Sequence, residues 1–336
     1  REAIETHYER APADRAMRWL VEHLFPYPHR LRWAFSSLYW YQRSGLSSVV
    51  RGSGVLKLAS PRLAQMEALL PRVPPPDDRR PVPGLTLAAG RRRGRAGLLT
   101  GCAQRYLLPG LNRATVRVLA RAGYDVVAPQ AQGCCGALHA HSGNLEEARK
   151  MARALIETVE GAGAAIVVAN AAGCGAAMKD YGYLLRDDPA WRERAEAFSG
   201  KVRDVSQVLA DIAWNGDLKA VPVSVSYHEA CHLAHGQRIR IEPRAMLRQI
   251  PGLRLVELTE SDLCCGSAGV YNILEPEMAG ELARRKVERI RETGARIVAM
   301  GNPGCLAQIL GESRRQGLAL EVLHPVELLG RALRDG

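Results

Sequence analysis

Eight cysteines fall in two sets of the same layout. The first set is Cys102, the adjacent pair Cys134 and Cys135, and Cys174. The second is Cys231, the pair Cys264 and Cys265, and Cys305. The lone cysteine ahead of each pair stands 32 or 33 residues away, and the one behind it 39 or 40 residues away. Every cysteine of the chain is used, which implies an internal duplication with a four-thiolate site in each copy. Thiolates are soft ligands that suit iron–sulfur clusters, zinc and copper(I). Inert core cysteines would have no reason to repeat at matched steps, although free cysteine is often buried. Structural zinc sites draw ligands from close Cys-x-x-Cys pairs. No such pair occurs here, so iron with sulfide is the first expectation and zinc the competitor. A disulfide within Cys134–Cys135 would be strained.

Adjacent thiolates diverge on a regular strand, so each pair can serve one site only where the backbone turns. Gly136 and Gly266 follow the two pairs and accept the positive φ that such a turn needs. Both are candidate cofactor-binding positions, since a backbone N–H can approach sulfur there and stabilise its charge. Gly101, Gly133, Gly173 and Gly304 also flank cysteines. His228, His232 and His235 surround Cys231, and His139 and His141 follow the first Cys-Cys-Gly. They are expected as hydrogen-bond donors or proton carriers, with His232 the candidate contact to the cofactor; a plain surface role suits any one of them equally. Glu229 has the same status.

The elements that must position these residues alternate strand and helix from residue 97 onward. Ala96–Leu99 leads to Cys102, Tyr124–Ala128 to the first pair, and Ile166–Ala169 to Cys174. Between them run a helix with Asn112 as its expected N-cap and another capped by Asn144 with Glu147 three residues on. The second half repeats the order: Val223–Tyr227 leads to Cys231, Leu253–Leu258 to the second pair and Ile297–Met300 to Cys305. Pro276 opens a helix that Gly294 ends. A last strand-helix unit covers Leu320–Leu323 and Val326–Leu333, matched in the first half by Val202–Val205 and Val208–Ile212. Alternation of this kind predicts an α/β fold of two tandem parallel-sheet repeats, 97–215 and 216–336. Every cysteine then follows the C-terminal end of a strand, where open parallel sheets bind ligands.

Ahead of the repeats, residues 1–70 read as amphipathic helices. Met17, Leu20, Val21 and Leu24 recur at helical spacing, and Leu31, Phe35 and Leu38 resume it after Pro26 and Pro28. Nine of the eighteen aromatics lie between Tyr8 and Tyr41. Trp33, Tyr39 and Trp40 with Arg30, Arg32 and Arg43 could meet a membrane boundary; packing on a missing module or a partner subunit is the plainer expectation. Residues 71–96 are a Pro/Arg-rich linker, and the cluster Arg91, Arg92, Arg93 and Arg95 reads as a solvated segment. The net charge of +11 favours an anionic partner. Nucleic acid is disfavoured, because the basic cluster lacks interleaved aromatics. No apolar run of about 18 residues exists, and no secretion signal is visible, so a cytoplasmic protein, peripheral on the inner face of the cytoplasmic membrane at most, is expected.

The duplicated pattern resembles the cysteine-rich domain of the heterodisulfide reductases and of several flavin-linked dehydrogenases. Gly101-Cys102-Ala103-Gln104, Gly133-Cys134-Cys135-Gly136-Ala137, Gly173-Cys174-Gly175-Ala176 and Lys179-Asp180-Tyr181-Gly182 are similar to the glycolate oxidase iron–sulfur subunit family. So are Leu263-Cys264-Cys265-Gly266-Ser267-Ala268-Gly269 and Asn302-Pro303-Gly304-Cys305. The resemblance covers about residues 96–333 and, more loosely, the helical front. It implies an electron-transfer subunit of an FAD-linked 2-hydroxy-acid (glycolate) dehydrogenase, with FAD on a partner subunit and quinone or another electron acceptor beyond it. It also implies an N-terminal ferredoxin-like module with two cubane clusters; this chain lacks one, and a front truncated just before Arg1 is expected. The heterodisulfide reductase relatives end each repeat in Cys-x-x-Cys and use a fifth thiolate, whereas Ala177 and Gln308 stand there in this chain. Four-thiolate [4Fe–4S] sites, one per repeat, are therefore the simpler expectation. The alternatives are a thiol–disulfide (heterodisulfide) reductase with a catalytic cluster and a structural zinc scaffold.

Overall fold

A computed structural model describes residue 7, residues 12–59, residue 67 and residues 72–214, 216–269 and 271–334. The first repeat is built on strands β1 (Leu85–Thr86), β2 (Gly94–Leu99), β3 (Tyr124–Val127), β4 (Ile166–Ala169) and β5 (Val202–Asp204), in the order β1-β3-β2-β4-β5. The second uses β6 (Ser224–His228), β7 (Arg254–Val256), β8 (Ile297–Met300) and β9 (Glu321–Leu323), in the order β7-β6-β8-β9. All neighbours are parallel except β1, which pairs antiparallel with β3. Leaving β1 aside, the two sheets share one topology, with β2, β3, β4 and β5 matched by β6, β7, β8 and β9. Buried apolar runs such as Ile297–Met300 are what a parallel strand covered on both faces requires.

The repeats pack back to back through one shared apolar core. Ala96, Leu98, Val126 and Val168 of the first sheet join Val225, Tyr227, Ala299 and Leu323 of the second. Helix Pro109–Arg121, which follows β2, packs on Pro325–Ala332, which follows β9. Helix Val205–Leu209 after β5 packs on Ile241–Arg248 after β6. Elements after the first and last strands of each copy thus exchange contacts reciprocally, as a pseudo-two-fold arrangement demands.

Several local expectations change. Asn112 does not cap its helix, which begins at Pro109. It lies buried inside, where its Nδ2 donates to Thr100 O at 2.9 Å and its Oδ1 accepts from Gln104 at 2.7 Å and Asn170 at 3.0 Å. A buried amide can satisfy several partners at once, and that use outweighs capping. Asn144 does cap its helix, accepting from Glu147 N. Helix Val205–Leu209 starts three residues earlier than its apolar pattern suggests, because Asp204 forms a capping box with Gln207. Within 71–96 stand a 3-10 turn, Pro76–Arg79, and strand β1, and Arg92 of the basic cluster pairs with Asp125 at 2.7 Å.

The front forms helices Pro12–Leu24, Pro28–Arg43, Leu46–Ser53 and Val55–Ala59. Leu31 and Phe35 are buried against Cys102, Ala103, Tyr106 and Leu107, so this helix covers the first cysteine turn. The Tyr106 hydroxyl ties the same helix down by donating to Pro28 O at 2.8 Å. Among the described residues no helix is long and apolar enough to cross a membrane.

Candidate functional site

Each cysteine stands beyond the C-terminal end of a strand of its sheet. Cys102 and Cys231 follow β2 and β6 by three residues, and the pairs lie in the loops after β3 and β7. Cys174 and Cys305 occupy the first turns of helices Ala172–Lys179 and Pro303–Arg315. The loops gather four thiols at each sheet end. In the first repeat Cys102 meets Cys134, Cys134 meets Cys135 and Cys135 meets Cys174. In the second the same relay runs Cys231, Cys264, Cys265 and Cys305. All eight are free of disulfides.

The glycines after the pairs make the turn. Gly136 (φ 76°) donates its N–H to Cys134 Sγ at 3.4 Å, and Gly266 (φ 88°) donates to Cys264 Sγ at 3.3 Å. Both also sit against backbone: a Cβ on Gly136 would stand 3.1 Å from Ala148 O and one on Gly266 2.4 Å from Ala279 O. Asn302 Nδ2 donates to Cys305 Sγ at 3.6 Å, and the Tyr181 hydroxyl donates to Cys135 O at 2.7 Å.

The electrostatics of the two thiol sets differ. A hydrogen bond with Cys134 and burial push the Cys102 thiol up. Cys134 and Cys135 also rise: each is held down by the preceding thiol of the relay, but the following thiol and burial outweigh it. In the second set Cys231 is raised by Cys264 and by burial, and Cys265 by Cys264, Cys305 and burial. Cys264 is lowered by Cys231 and Cys265, and Cys305 by Cys265 and, secondarily, by His228. Four thiols crowded into a dry site cannot all ionise without a countercharge. A bound metal provides it, since coordinating thiols are deprotonated outright. The donor set therefore fits iron–sulfur ligation.

The histidines separate by place. His232 Nδ1 lies 3.6 Å from Cys231 Sγ, and its ring is 5.2 Å from that of His141, which belongs to the first repeat. His235 faces Arg240 and Asp262 at the surface, and His139 is buried with its pKa lowered by desolvation. Glu229 is committed to structure, bound by Arg240 at 2.6 Å and Arg244 at 2.5 Å. Two further groups line the sites. Arg105 reaches Gly101 O and Gln132 O beside the first set, and its charge acts on Cys102 and Cys134. Lys286, buried, donates to Glu260 O and Ser261 O near Cys265 and Cys305. Lys286 occupies the place of Leu155 in the first repeat, seven residues past the carbonyl that contacts the turn glycine. Aligning the repeats on their cysteines would have exposed that difference in sequence.

The two sites face one another. Ala172 N donates to Gly301 O at 3.0 Å, Gly173 N to Asn302 Oδ1 at 3.2 Å, and Gln237 Nε2 to Ala172 O at 3.0 Å. A cleft of about 520 Å³ opens beside the first set, bordered by Cys135, His141, Ala177, Tyr181 and His232.

Comparison with known proteins follows this division of the chain. Residues 96–179 and 225–310 each match the family model described as a cysteine-rich domain. Residues 13–70 match the linker region of the glycolate oxidase iron–sulfur subunit. Over 98% of its length the chain is 38% identical to the probable glycolate oxidase iron–sulfur subunit of Bacillus subtilis (strain 168), of which it covers 75%. Its identity to the Escherichia coli (strain K12) glycolate oxidase iron–sulfur subunit is 31%, over 87% of this chain and 71% of that one. Lactate utilization protein A of Exiguobacterium sp. is 33% identical over 71% of this chain and 98% of its own. A crystal structure of a hypothetical protein from Helicobacter pylori has the same fold at 11% identity, with a TM-score of 0.54, over 82% of this chain and 57% of that chain. With its linker helices, its two cysteine-rich domains and its relatives in agreement, the chain belongs to the glycolate oxidase iron–sulfur subunit family.

Proposed function

We propose that this chain is the electron-transfer subunit of an FAD-linked 2-hydroxy-acid dehydrogenase acting on glycolate, and that it passes electrons from a flavin-bearing partner towards quinone. Cys102, Cys134, Cys135 and Cys174 would hold one [4Fe–4S] cluster, and Cys231, Cys264, Cys265 and Cys305 a second. When bound, the clusters supply one-electron acceptor and donor capacity. The chain's own residues hold them, with Gly136, Gly266 and Asn302 aiming N–H groups at sulfur and Arg105 and Lys286 adding positive charge. Such donors and charges favour the reduced, more negative state. The observation that carries this reading is the pair of four-thiol sets on facing sheet ends, joined by direct hydrogen bonds between their loops.

No residue here need touch glycolate, which falls to the flavin partner. The exposed Trp33 and Trp40, 70% and 63% accessible on one helix with Arg30, Arg32 and Arg43, support peripheral contact with the inner face of the cytoplasmic membrane. Ala177 and Gln308 at the fifth-thiolate places favour electron transfer over heterodisulfide reduction.

The test is an anaerobic iron, acid-labile sulfide and zinc analysis, followed by EPR after adding the flavin subunit and glycolate. About four to eight iron atoms with equal sulfide, reduced by glycolate only through the flavin subunit, are expected. Zinc without sulfide, or clusters that turn over a disulfide but ignore the flavin partner, would overturn the reading.

A further inference from the structure

We propose that His228 is a fifth protein donor to the metal centre of the second repeat, so that the two repeats hold chemically different sites. The inference rests on the iron–sulfur reading above and adds to it a ligand that the cysteine pattern does not contain.

His228 is the last residue of β6, wholly buried, and pinned opposite Met300 of β8. A ring nitrogen of His228 and the sulfurs of Cys265 and Cys305 all lie within 4.8 Å of one another. Among the described residues these three form the only group of three or more such donors drawn that close. By strict geometry neither imidazole nitrogen has a hydrogen-bond partner, while the ring lies close enough to the Cys305 sulfur to act on it. A neutral imidazole carries one donor and one acceptor, and burying them without partners is unfavourable. His139 and the Nε2 atom of His324 share that lack, but neither residue belongs to a donor group of this kind. Among the described residues, only His228 has its unmet nitrogen beside two sulfurs that the iron–sulfur reading assigns to a metal.

The first repeat shows what the position holds when no donor is wanted. Leu99 pairs with Ala169 in β4 as His228 pairs with Met300 in β8, and each stands three residues before the first cysteine of its set. Leu99 is apolar and buried. A leucine would fill the same space in the second repeat without unpaired polar atoms, so an imidazole there makes physical sense as a ligand. Imidazole is a competent ligand to iron, and in Rieske centres histidine in place of cysteine raises the potential. A ring nitrogen would donate its lone pair to iron at the side of the site held by Cys265 and Cys305, with no change in the oxidation state of any protein group.

The experiment is pulsed EPR for nitrogen hyperfine coupling on the reduced, reconstituted full chain, at natural abundance and with 15N-histidine, in wild type, His228→Leu and His232→Ala. The expected result is a strong histidine nitrogen coupling that His228→Leu removes and His232→Ala leaves intact, while the first cluster's signal persists. Should His228→Leu fail to fold, the labelled wild type and His232→Ala still decide the matter. A spectrum with normal iron and sulfide but no strong coupling, or a coupling lost in His232→Ala, overturns this inference and spares the iron–sulfur reading. Zinc without sulfide overturns both.

Discussion

Asn302 Oδ1 accepts the backbone N–H of Gly173 at 3.2 Å while the same side chain donates from Nδ2 to Cys305 Sγ at 3.6 Å. Gly173 precedes Cys174 in the first turn of helix Ala172–Lys179, so one amide spans from the first thiol set to a sulfur of the second. Its two ends have different jobs, and they can be separated. Asn302→Asp keeps the acceptor for Gly173 but cannot donate to sulfur, whereas Asn302→Ala loses both. The alanine variant should lose about 1–3 kcal/mol of stability through the unpaired N–H, seen as a lower Tm. Both variants should lower the midpoint potential of the second cluster in an EPR redox titration. An unchanged potential in both would show that the contact to Cys305 has no electronic effect.

The turn glycines are unequally tolerant. Gly266→Ala forces a Cβ to 2.4 Å from Ala279 O, whereas Gly136→Ala meets Ala148 O at 3.1 Å. Both add the left-handed penalty of roughly 1–2 kcal/mol. Gly266→Ala is expected to lose most of the iron of the second site, and Gly136→Ala to keep most of that of the first. Iron counts on the two variants check this, and equal losses would contradict it.

Lys286 should tune the second cluster by charge. Burial holds its pKa down to about 8, so near neutral pH most of it is protonated. Lys286→Leu, which copies Leu155 of the first repeat, removes that charge from beside Cys265 and Cys305. The second midpoint potential should fall while the first stays put, as read by EPR titration. A shift in the first potential alone would refute the assignment of Lys286 to the second site.

Asp204 makes stability depend on pH. Burial raises its carboxyl from 3.8 to about 6, against the hydrogen bonds from Ser206. The folded state therefore binds the proton more tightly than the unfolded one. The associated stability is complete below about pH 4 and is lost as pH rises through about 6, on the order of 3 kcal/mol. Asp204→Asn keeps an oxygen for the Ser206 N–H cap and cannot ionise. It should raise Tm relative to wild type at pH 7 and not at pH 4, measured by thermal unfolding in both buffers. The same Tm difference at both pH values would reject the explanation.

Membrane contact can be tested without disturbing the first site. Deleting the helical front would also strip Leu31 and Phe35 from the Cys102 turn, so point changes are cleaner. Trp33→Ser with Trp40→Ser should weaken sedimentation with anionic vesicles several-fold and leave the iron content unchanged. Phe35→Ala, by contrast, should cost about 3–5 kcal/mol and make the first site lose iron more readily. Undiminished vesicle binding by the double variant would move the contact elsewhere.

The duplication, the eight thiol positions, the alternation of strand and helix and the turn glycines are all legible along the chain. Those features are local: cysteine spacing, apolar runs such as Ile297–Met300 and the Gly after each pair are written in consecutive residues. The sequence also pointed to the helical front, since Leu31 and Phe35 keep helical spacing. Tertiary structure alone decided what those residues face. Asn112 reads as a cap until Thr100, Gln104 and Asn170 are brought around it. Glu229 reads as a site residue until Arg240 and Arg244 close on it. His228 reads as one histidine among several, because nothing in a single strand says that its ring meets Cys265 of one loop and Cys305 of a distant helix. The Asn302 link across the repeats is likewise invisible in sequence, since it joins residues 129 apart. Spacing carries what lies within an element, and only packing of distant elements sets which polar groups share a dry site and so what their partners must be.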